Sequence, residues 1–286
     1  MLRILIIGCG DIGLRIARQL QGRARLYALS RSPDSRARLR AAGITPIAGD
    51  LDDRHSLKRL AGLADWVLHL APPPGEGTGD PRTVRLLAAL GRGSLPRALA
   101  YISTTGVYGD CAGAWVPETR PARPHNARAK RRVAAERVLR GWGRAHGVRV
   151  AILRAPGIYA AGRLPGERVR RGLPALLPEE DIYTNHIHAD DLARLCVTAL
   201  LRGRANRLYN AVDDSGHKMG DWFDLVADHL GLPRPPRLPR AEVEAAVTPA
   251  MRSFLSESRR LSNRRIKDEL RFRLRYPTVQ AGLAAI

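Results

Sequence analysis

Apolar residues in this chain fall in short dense runs, each followed by a stretch with helical spacing. The first run, Ile4-Leu5-Ile6-Ile7, has no polar alternation, which predicts a strand buried on both faces, as in a parallel sheet. Gly8-x-Gly10-x-x-Gly13 follows at once, and Leu14 to Leu20 reads as a helix. Further strands are predicted at Leu26–Ser30, Ile44–Ala48, Ala64–Ala71, Ala98–Thr104 and Val148–Leu153. Helices are predicted between them at Arg36–Ala42, Ser56–Leu63 and Thr83–Leu90. The Pro/Gly-rich piece from Pro72 to Pro81 predicts a mobile loop near a ligand crevice. This strand–helix alternation predicts βαβ units and an α/β fold with a parallel sheet.

The distal part is less regular. Ala160 to Glu180 carries six prolines and glycines and reads as a loop-rich excursion over the crevice. His186-Ile187-His188 leads into a helix from Asp190 to Leu201, with Asp190 or Asp191 suited to its start. Pro233 to Pro239, with four prolines in seven residues, reads as a linker, and Glu242 to Leu270 as helices. His186 and His188 lack a third partner at ligand spacing, so no metal site is expected.

Composition limits the class. The 286 residues suit one large α/β domain or a main domain with a lobe, and 44% hydrophobic content supports a true core. No run of about 18 apolar residues is present, so no membrane span is expected. Met1-Leu2-Arg3 runs straight into a strand without a signal-peptide layout, which predicts a cytoplasmic protein. Cys9, Cys111 and Cys196 lie far apart and suit a reducing compartment. The net charge of +21 comes from 48 basic against 27 acidic residues, and 44 of the 48 are arginines. They are spread along the chain with few aromatics among them, which argues against specific nucleic-acid binding but favours an anionic small-molecule partner.

The glycine turn carries the first chemistry. Gly8 permits a tight turn, Gly10 lets the backbone approach a pyrophosphate, and Gly13 lets helix and strand pack closely. The amides at Asp11 and Ile12 and the positive end of the helix then face phosphates. At the end of the second strand an acidic residue would suit a free ribose 2′-hydroxyl, whereas Ser30-Arg31 suits a 2′-phosphate, so NADP is favoured over NAD.

With these motifs stand Gly49-Asp50-Leu51, His69-Leu70-Ala71, Ser103-Thr104-Thr105-Gly106-Val107-Tyr108-Gly109, Leu153-Arg154-Ala155-Pro156-Gly157-Ile158-Tyr159, His186-Ile187-His188-Ala189-Asp190-Asp191-Leu192 and Leu208-Tyr209-Asn210-Ala211. In this order the chain resembles the extended short-chain dehydrogenases/reductases of the NAD-dependent epimerase/dehydratase superfamily, in an atypical branch similar to YeeZ-like proteins. The resemblance implies a Rossmann-type doubly wound sheet with a smaller C-terminal substrate lid. It places the dinucleotide-binding domain at residues 1–158, packed with 190–212, and the lid at 159–189 and 213–286. It sets Asp50 and Leu51 against the adenine, Leu70, Ala71 and Pro72 under the cofactor, and Pro156 and Gly157 beside it. It also implies a small hydroxylated or sugar-like substrate and a monomer or homodimer.

Family chemistry uses a Tyr-x-x-x-Lys pair, and here the tyrosine is missing. Either Asn126-x-x-x-Lys130 or Arg128-x-x-x-Arg132 occupies its place, the second keeping the distance to Glu136. Thr104 is the candidate for holding the substrate oxygen. Lys130 is a candidate for the ribose, and Tyr108, ahead of His125 and Tyr159, for a substitute acid. Three readings follow: an NADP-dependent reductase, epimerase or dehydratase; an NADP-binding sensor or scaffold without turnover; and a nucleic-acid binder.

Overall fold

The computed structural model describes residues 1–286, the side chain of Ala250 excepted. In chain order the first half comprises β1 (Leu2–Ile7), α1 (Asp11–Leu20), β2 (Ala24–Ser30), α2 (Pro33–Ala41), β3 (Thr45–Ala48), β4 (Trp66–His69), α3 (Pro81–Leu90), β5 (Ala98–Thr104), β6 (Trp115–Val116) and α4 (Ala127–His146). The second half adds β7 (Arg149–Ala155), β8 (Gly157–Tyr159), α5 (Gly166–Arg170), β9 (Ala175–Leu176), β10 (His186–His188), α6 (Ala189–Arg202), β11 (Arg207–Asn210) and α7 (Met219–Leu230). β12 (Arg237–Leu238), α8 (Arg240–Ala246), α9 (Pro249–Leu255), β13 (Arg260–Leu261), α10 (Arg264–Leu270) and α11 (Val279–Leu283) complete it. Short 3₁₀ turns lie at Arg54–Leu60 and Thr105–Tyr108.

Seven parallel strands form the central sheet in the order β11-β7-β5-β4-β1-β2-β3. The order reverses between β1 and β4, which opens a crevice at their carboxyl ends. Ile4 to Ile7 are fully buried because β1 is central and covered on both faces. Ile4 and Ile6 pack with Ile16 of α1 and with α6, whereas Leu5 and Ile7 pack with Leu86 of α3 and Leu139 of α4. Each such side chain contributes about 1.5–3 kcal/mol on burial.

The helices start where their chemistry permits. Ser32 and Asp80 cap α2 and α3, each followed by proline, and Asn126 caps α4. Gly147, with φ +67°, ends α4 in the left-handed conformation. No helix among the described residues is long and apolar enough to cross a membrane.

The remaining segments form smaller layers outside the sheet. Trp222, Phe223 and Val226 of α7 pack with Tyr159, Val279 and Leu283. The proline-rich stretch is more than the linker expected of it. Its Arg237-Leu238 pairs as β12 with β9, and Arg237 bonds Asp224 at 2.6 Å and Asp181 at 3.4 Å. The α6 start also differs. His188 is the cap, its Nδ1 accepting from the Asp190 amide at 3.2 Å. Asp191 is wholly buried and accepts from the amides of Arg275 and Tyr276 at 2.9 and 2.8 Å, so it anchors the C-terminal segment.

Candidate functional site

Two adjoining cavities occupy the crevice. The larger, about 940 Å³, runs over the carboxyl ends of β1, β2 and β4. The smaller, about 300 Å³, lies at the end of β5 beneath α9 and the segment before β13. They share Ile102, Arg132 and Ile158.

The glycine turn forms the floor of the larger cavity. Gly8 has φ +85°, and a Cβ there would stand 2.5 Å from the Ala71 amide nitrogen. Only glycine meets both demands. A Cβ on Gly10 would meet nothing within 4 Å, so the main chain there lies open to the cavity. Gly13 does not line the cavity; a Cβ there would meet Cys9 Sγ at 2.9 Å, so its role is close packing. No side chain caps α1, which leaves its first-turn amides beside Asp11 and Ile12 free for an anion.

Ser30, Arg31, Asp50, Leu51, Leu70, Ala71 and Pro72 line the same cavity. The Ser30 hydroxyl is buried without a partner among the described residues. Arg31 is open to solvent and 4.0 Å from Asp50, too loose a pair to hold it. Arg38 also lines this end, and Arg163 reaches across to Asp11 at 3.0 Å. Burial pushes the Cys9 thiol up to about 11, so it is protonated at neutral pH. Open amides at a helix start, an unpartnered hydroxyl and unengaged arginines are the donors a phosphate-rich dinucleotide requires, so the residues present fit that group.

The smaller cavity combines three distant segments. Thr104 ends β5, and its Oγ1 accepts from the Gly106 amide at 3.3 Å, leaving its O–H available to donate. From α4 come Asn126, Arg128 and Arg132. Arg132 donates to the Ile102 carbonyl at 2.7 Å and the Tyr101 hydroxyl at 2.9 Å, which fixes its charge where the cavities meet. Arg128 lies over the Phe254 ring at 4.6 Å. The third segment supplies Glu257, whose carboxylate accepts from Asn126 Nδ2 at 3.3 Å and pairs with Arg259 at 2.8 Å. Pro156 and Gly157 line this cavity, not the larger one.

Two sequence candidates lie elsewhere. Tyr108 is buried, donates to Asn210 Oδ1 at 2.8 Å and lies under Arg154, and burial raises its pKa. The 3₁₀ turn after Thr104 carries it behind the site, so it lines neither cavity. Lys130 is exposed and also lines neither, because it stands two residues, roughly 200° of helix, from Arg128 and Arg132. The structure thus sets both Tyr108, the expected proton relay, and Lys130, the expected ribose ligand, apart from the two cavities. Tyr159, likewise buried, donates to the Thr278 carbonyl at 3.3 Å. His186 and His188 are buried against Trp222 and Tyr276, with centroids 4.4 and 4.1 Å apart. Sequence reasoning missed Glu257, Phe254 and Tyr183, which no local motif marks.

Beneath the site a buried network braces α4 against the sheet. Glu136 accepts from Ser103 Oγ at 2.6 Å and takes Arg154 in two hydrogen bonds of 3.0 and 2.6 Å. Burial alone would lower the Arg154 pKa, but the carboxylate overrides it and raises it.

Comparison with known proteins follows this geometry. The family model described as "NAD dependent epimerase/dehydratase family" matches residues 4–211. GDP-6-deoxy-D-mannose reductase of Pseudomonas aeruginosa is 28% identical over 234 residues, covering 72% of this chain and 74% of its own. A functionally unknown conserved protein from Silicibacter pomeroyi superposes with TM-score 0.83 at 33% identity, over 100% of this chain and 98% of its own. DesIV, a dTDP-glucose 4,6-dehydratase from Streptomyces venezuelae with NAD and TYD bound, gives TM-score 0.78 at 21% identity over 99% and 95% of the two chains, a likeness of fold alone. With its crevice, its glycine turn and more than half its length matched, the chain belongs to the NAD-dependent epimerase/dehydratase family.

Proposed function

We propose that this chain binds NADP in the larger cavity and acts on a hydroxylated, sugar-nucleotide-like substrate in the smaller one. The observation that carries the reading is the uncapped start of α1 facing a 940 Å³ cavity over Gly8 and Gly10. The amides at Asp11 and Ile12 hold the diphosphate, and Gly13 keeps helix and strand close enough to aim them. Ser30, Arg31 and Arg38 take a 2′-phosphate, Asp50 and Leu51 flank the adenine, and Leu70, Ala71 and Pro72 form the floor. The similarity to a GDP-6-deoxy-D-mannose reductase supports the substrate class. Three free cysteines support a cytoplasmic setting.

Bound nicotinamide supplies a hydride donor or acceptor. Thr104 donates from its hydroxyl to the substrate oxygen. Arg132 sets a fixed positive charge beside that oxygen and the cofactor ribose, at the position the family gives to lysine. A guanidinium offers charge and hydrogen-bond donors, not the phenol chemistry of the absent tyrosine. Glu257, the one carboxylate lining the smaller cavity among the described residues, moves the proton instead. Pro156 and Gly157 shape the wall where substrate and nicotinamide meet. The second reading, NADP binding without turnover, is favoured by the arginines standing where tyrosine and lysine are expected.

Calorimetry with NADPH and NADH tests the binding step. Micromolar NADPH affinity is expected, weakened about tenfold, or about 1.4 kcal/mol, by Arg31→Glu, with NADH little changed. Indifference to both nucleotides overturns the reading. Equal affinity for the two removes only the 2′-phosphate argument. NADPH oxidation with keto sugar nucleotides, abolished by Glu257→Gln with binding intact, separates turnover from binding alone.

A further inference from the structure

A third cavity, of about 530 Å³, shares no lining residue with the two above. It lies between α4, the turn after β6, and the edge formed by β7, β11 and α10. Six arginines line it: Arg120, Arg137, Arg140, Arg154, Arg207 and Arg265. Its two carboxylates are already engaged, Glu136 by Arg154 and Glu118 by Arg265 at 3.6 Å and by the Asn210 amide at 3.0 Å. Arg207 pairs with Glu269. Among the described residues no carboxylate reaches within 4.0 Å of Arg120, Arg137 or Arg140, so three guanidinium charges converge without compensation.

A second observation is independent of charge. Two buried donors on the cavity wall, Arg154 Nη1 and Arg140 Nε, have no partner among the described residues, and Asn206 Oδ1 is an unpartnered acceptor beside them. The Arg154 side chain is only 4% exposed, and both its other nitrogens are used on Glu136. A buried donor left unmade is costly, so donors of this kind point to an acceptor that occupies the cavity.

We propose that this cavity is a second ligand site, for a small phosphate-bearing anion with more than one negative charge. Arg120, Arg137 and Arg140 neutralise it, and the arginine fork gives each phosphate paired hydrogen bonds. Arg154 and Arg140 donate to it from the wall. Among the described residues no aromatic side chain lines the cavity, so a nucleobase has nothing to stack on and the phosphate is the recognised part. The volume lies in the range of small-molecule pockets and suits a sugar phosphate or a short polyphosphate.

Inorganic pyrophosphate is the probe, added to the full chain at physiological salt and followed by hydrogen exchange and calorimetry. Protection of residues 118–122 and 133–140 is expected, lost in Arg120→Gln/Arg140→Gln. The same double variant weakens a saturable heat at least tenfold. Because Arg140 is half-buried, Arg137→Glu is the second variant; it lies on the exposed rim and is expected to weaken binding several-fold. Any protection at residues 8–13 belongs to the larger cavity and should be unmoved by either variant. Protection confined to 8–13, protection at 133–140 unchanged in both variants, or no saturable binding overturns the proposal.

Discussion

The two halves of the crevice are built by different means. The larger cavity relies mainly on backbone: Gly8 because nothing larger fits against Ala71, Gly10 because the main chain must lie bare, and α1 because no side chain caps it. The smaller cavity is built of side chains from β5, α4 and the segment around Glu257, more than 100 residues further on. Backbone recognition needs only glycine at set spacing, so it tolerates drift elsewhere. Side-chain chemistry depends on individual residue types, and here α4 and its cap bring Asn126, Arg128 and Arg132, and no tyrosine, to the smaller cavity.

This contrast can be broken at several points. The largest effect is expected from Glu136→Ala, which leaves Arg154 buried and unpaired beneath both cavities. A loss of about 3–5 kcal/mol in urea unfolding is expected, whereas a loss below about 1 kcal/mol would show that α4 is not braced this way. Gly8→Val comes next, since it meets both a clash and a left-handed backbone. About 3 kcal/mol of stability and all NADPH binding should be lost. A Gly8→Val protein that still binds NADPH would remove the backbone side of the comparison.

Thr104→Val sharpens the other side. NADPH affinity should stay within about twofold while turnover falls roughly 100-fold or more. An equal fall in both would make Thr104 a structural end to β5 and nothing else.

A last contrast concerns buried titratable groups outside both cavities. Burial pushes His69 and His186 down to about 3, while free histidine titrates near 6.5. The folded state then binds fewer protons than the unfolded one, and stability is lost as pH falls from about 6.5 towards 3. Asp213 acts the other way. Burial pushes it up to about 7, so the folded state keeps a proton that the unfolded state gives up near 4. Its contribution falls as pH rises from about 4 to 7. His188, lowered by burial, and Asp52, Asp65 and Glu269, held below the usual carboxylate range by hydrogen bonds from arginines, act with the two histidines, whereas burial raises Glu118 and Asp181 in the sense of Asp213; acid should destabilise the wild type. Asp213→Asn should steepen that acid loss and raise the melting temperature at pH 7, checked by thermal unfolding from pH 4 to 8.

Much of the sheet was legible because its strands are apolar runs with no competing pattern. Ala98–Thr104 coincides with β5, and the glycine turn sits where the spacing placed it. The helix phase of α4 was half legible. Distance to Glu136 favoured Arg128 and Arg132, and the structure turns those two towards the crevice while Lys130 faces out. Closeness in sequence to Thr104 suggested Tyr108, but it says nothing about the 3₁₀ turn that brings its hydroxyl to Asn210. The proline count around Pro235 concealed β12, since the pairing that orders Arg237-Leu238 comes from β9, some 60 residues earlier.

By itself the sequence determined six of the seven central strands, where the chain must turn tightly, and that a helix start follows the glycine turn after β1. Those features depend on local sterics and on apolar periodicity, which neighbouring residues carry. Only the tertiary structure decided that Glu257 meets Asn126 and Phe254 meets Arg128, that Tyr108 is sealed against Asn210, and that three unpaired arginines share a separate cavity. Such contacts arise from chain crossings over tens to hundreds of residues, and no short pattern encodes them.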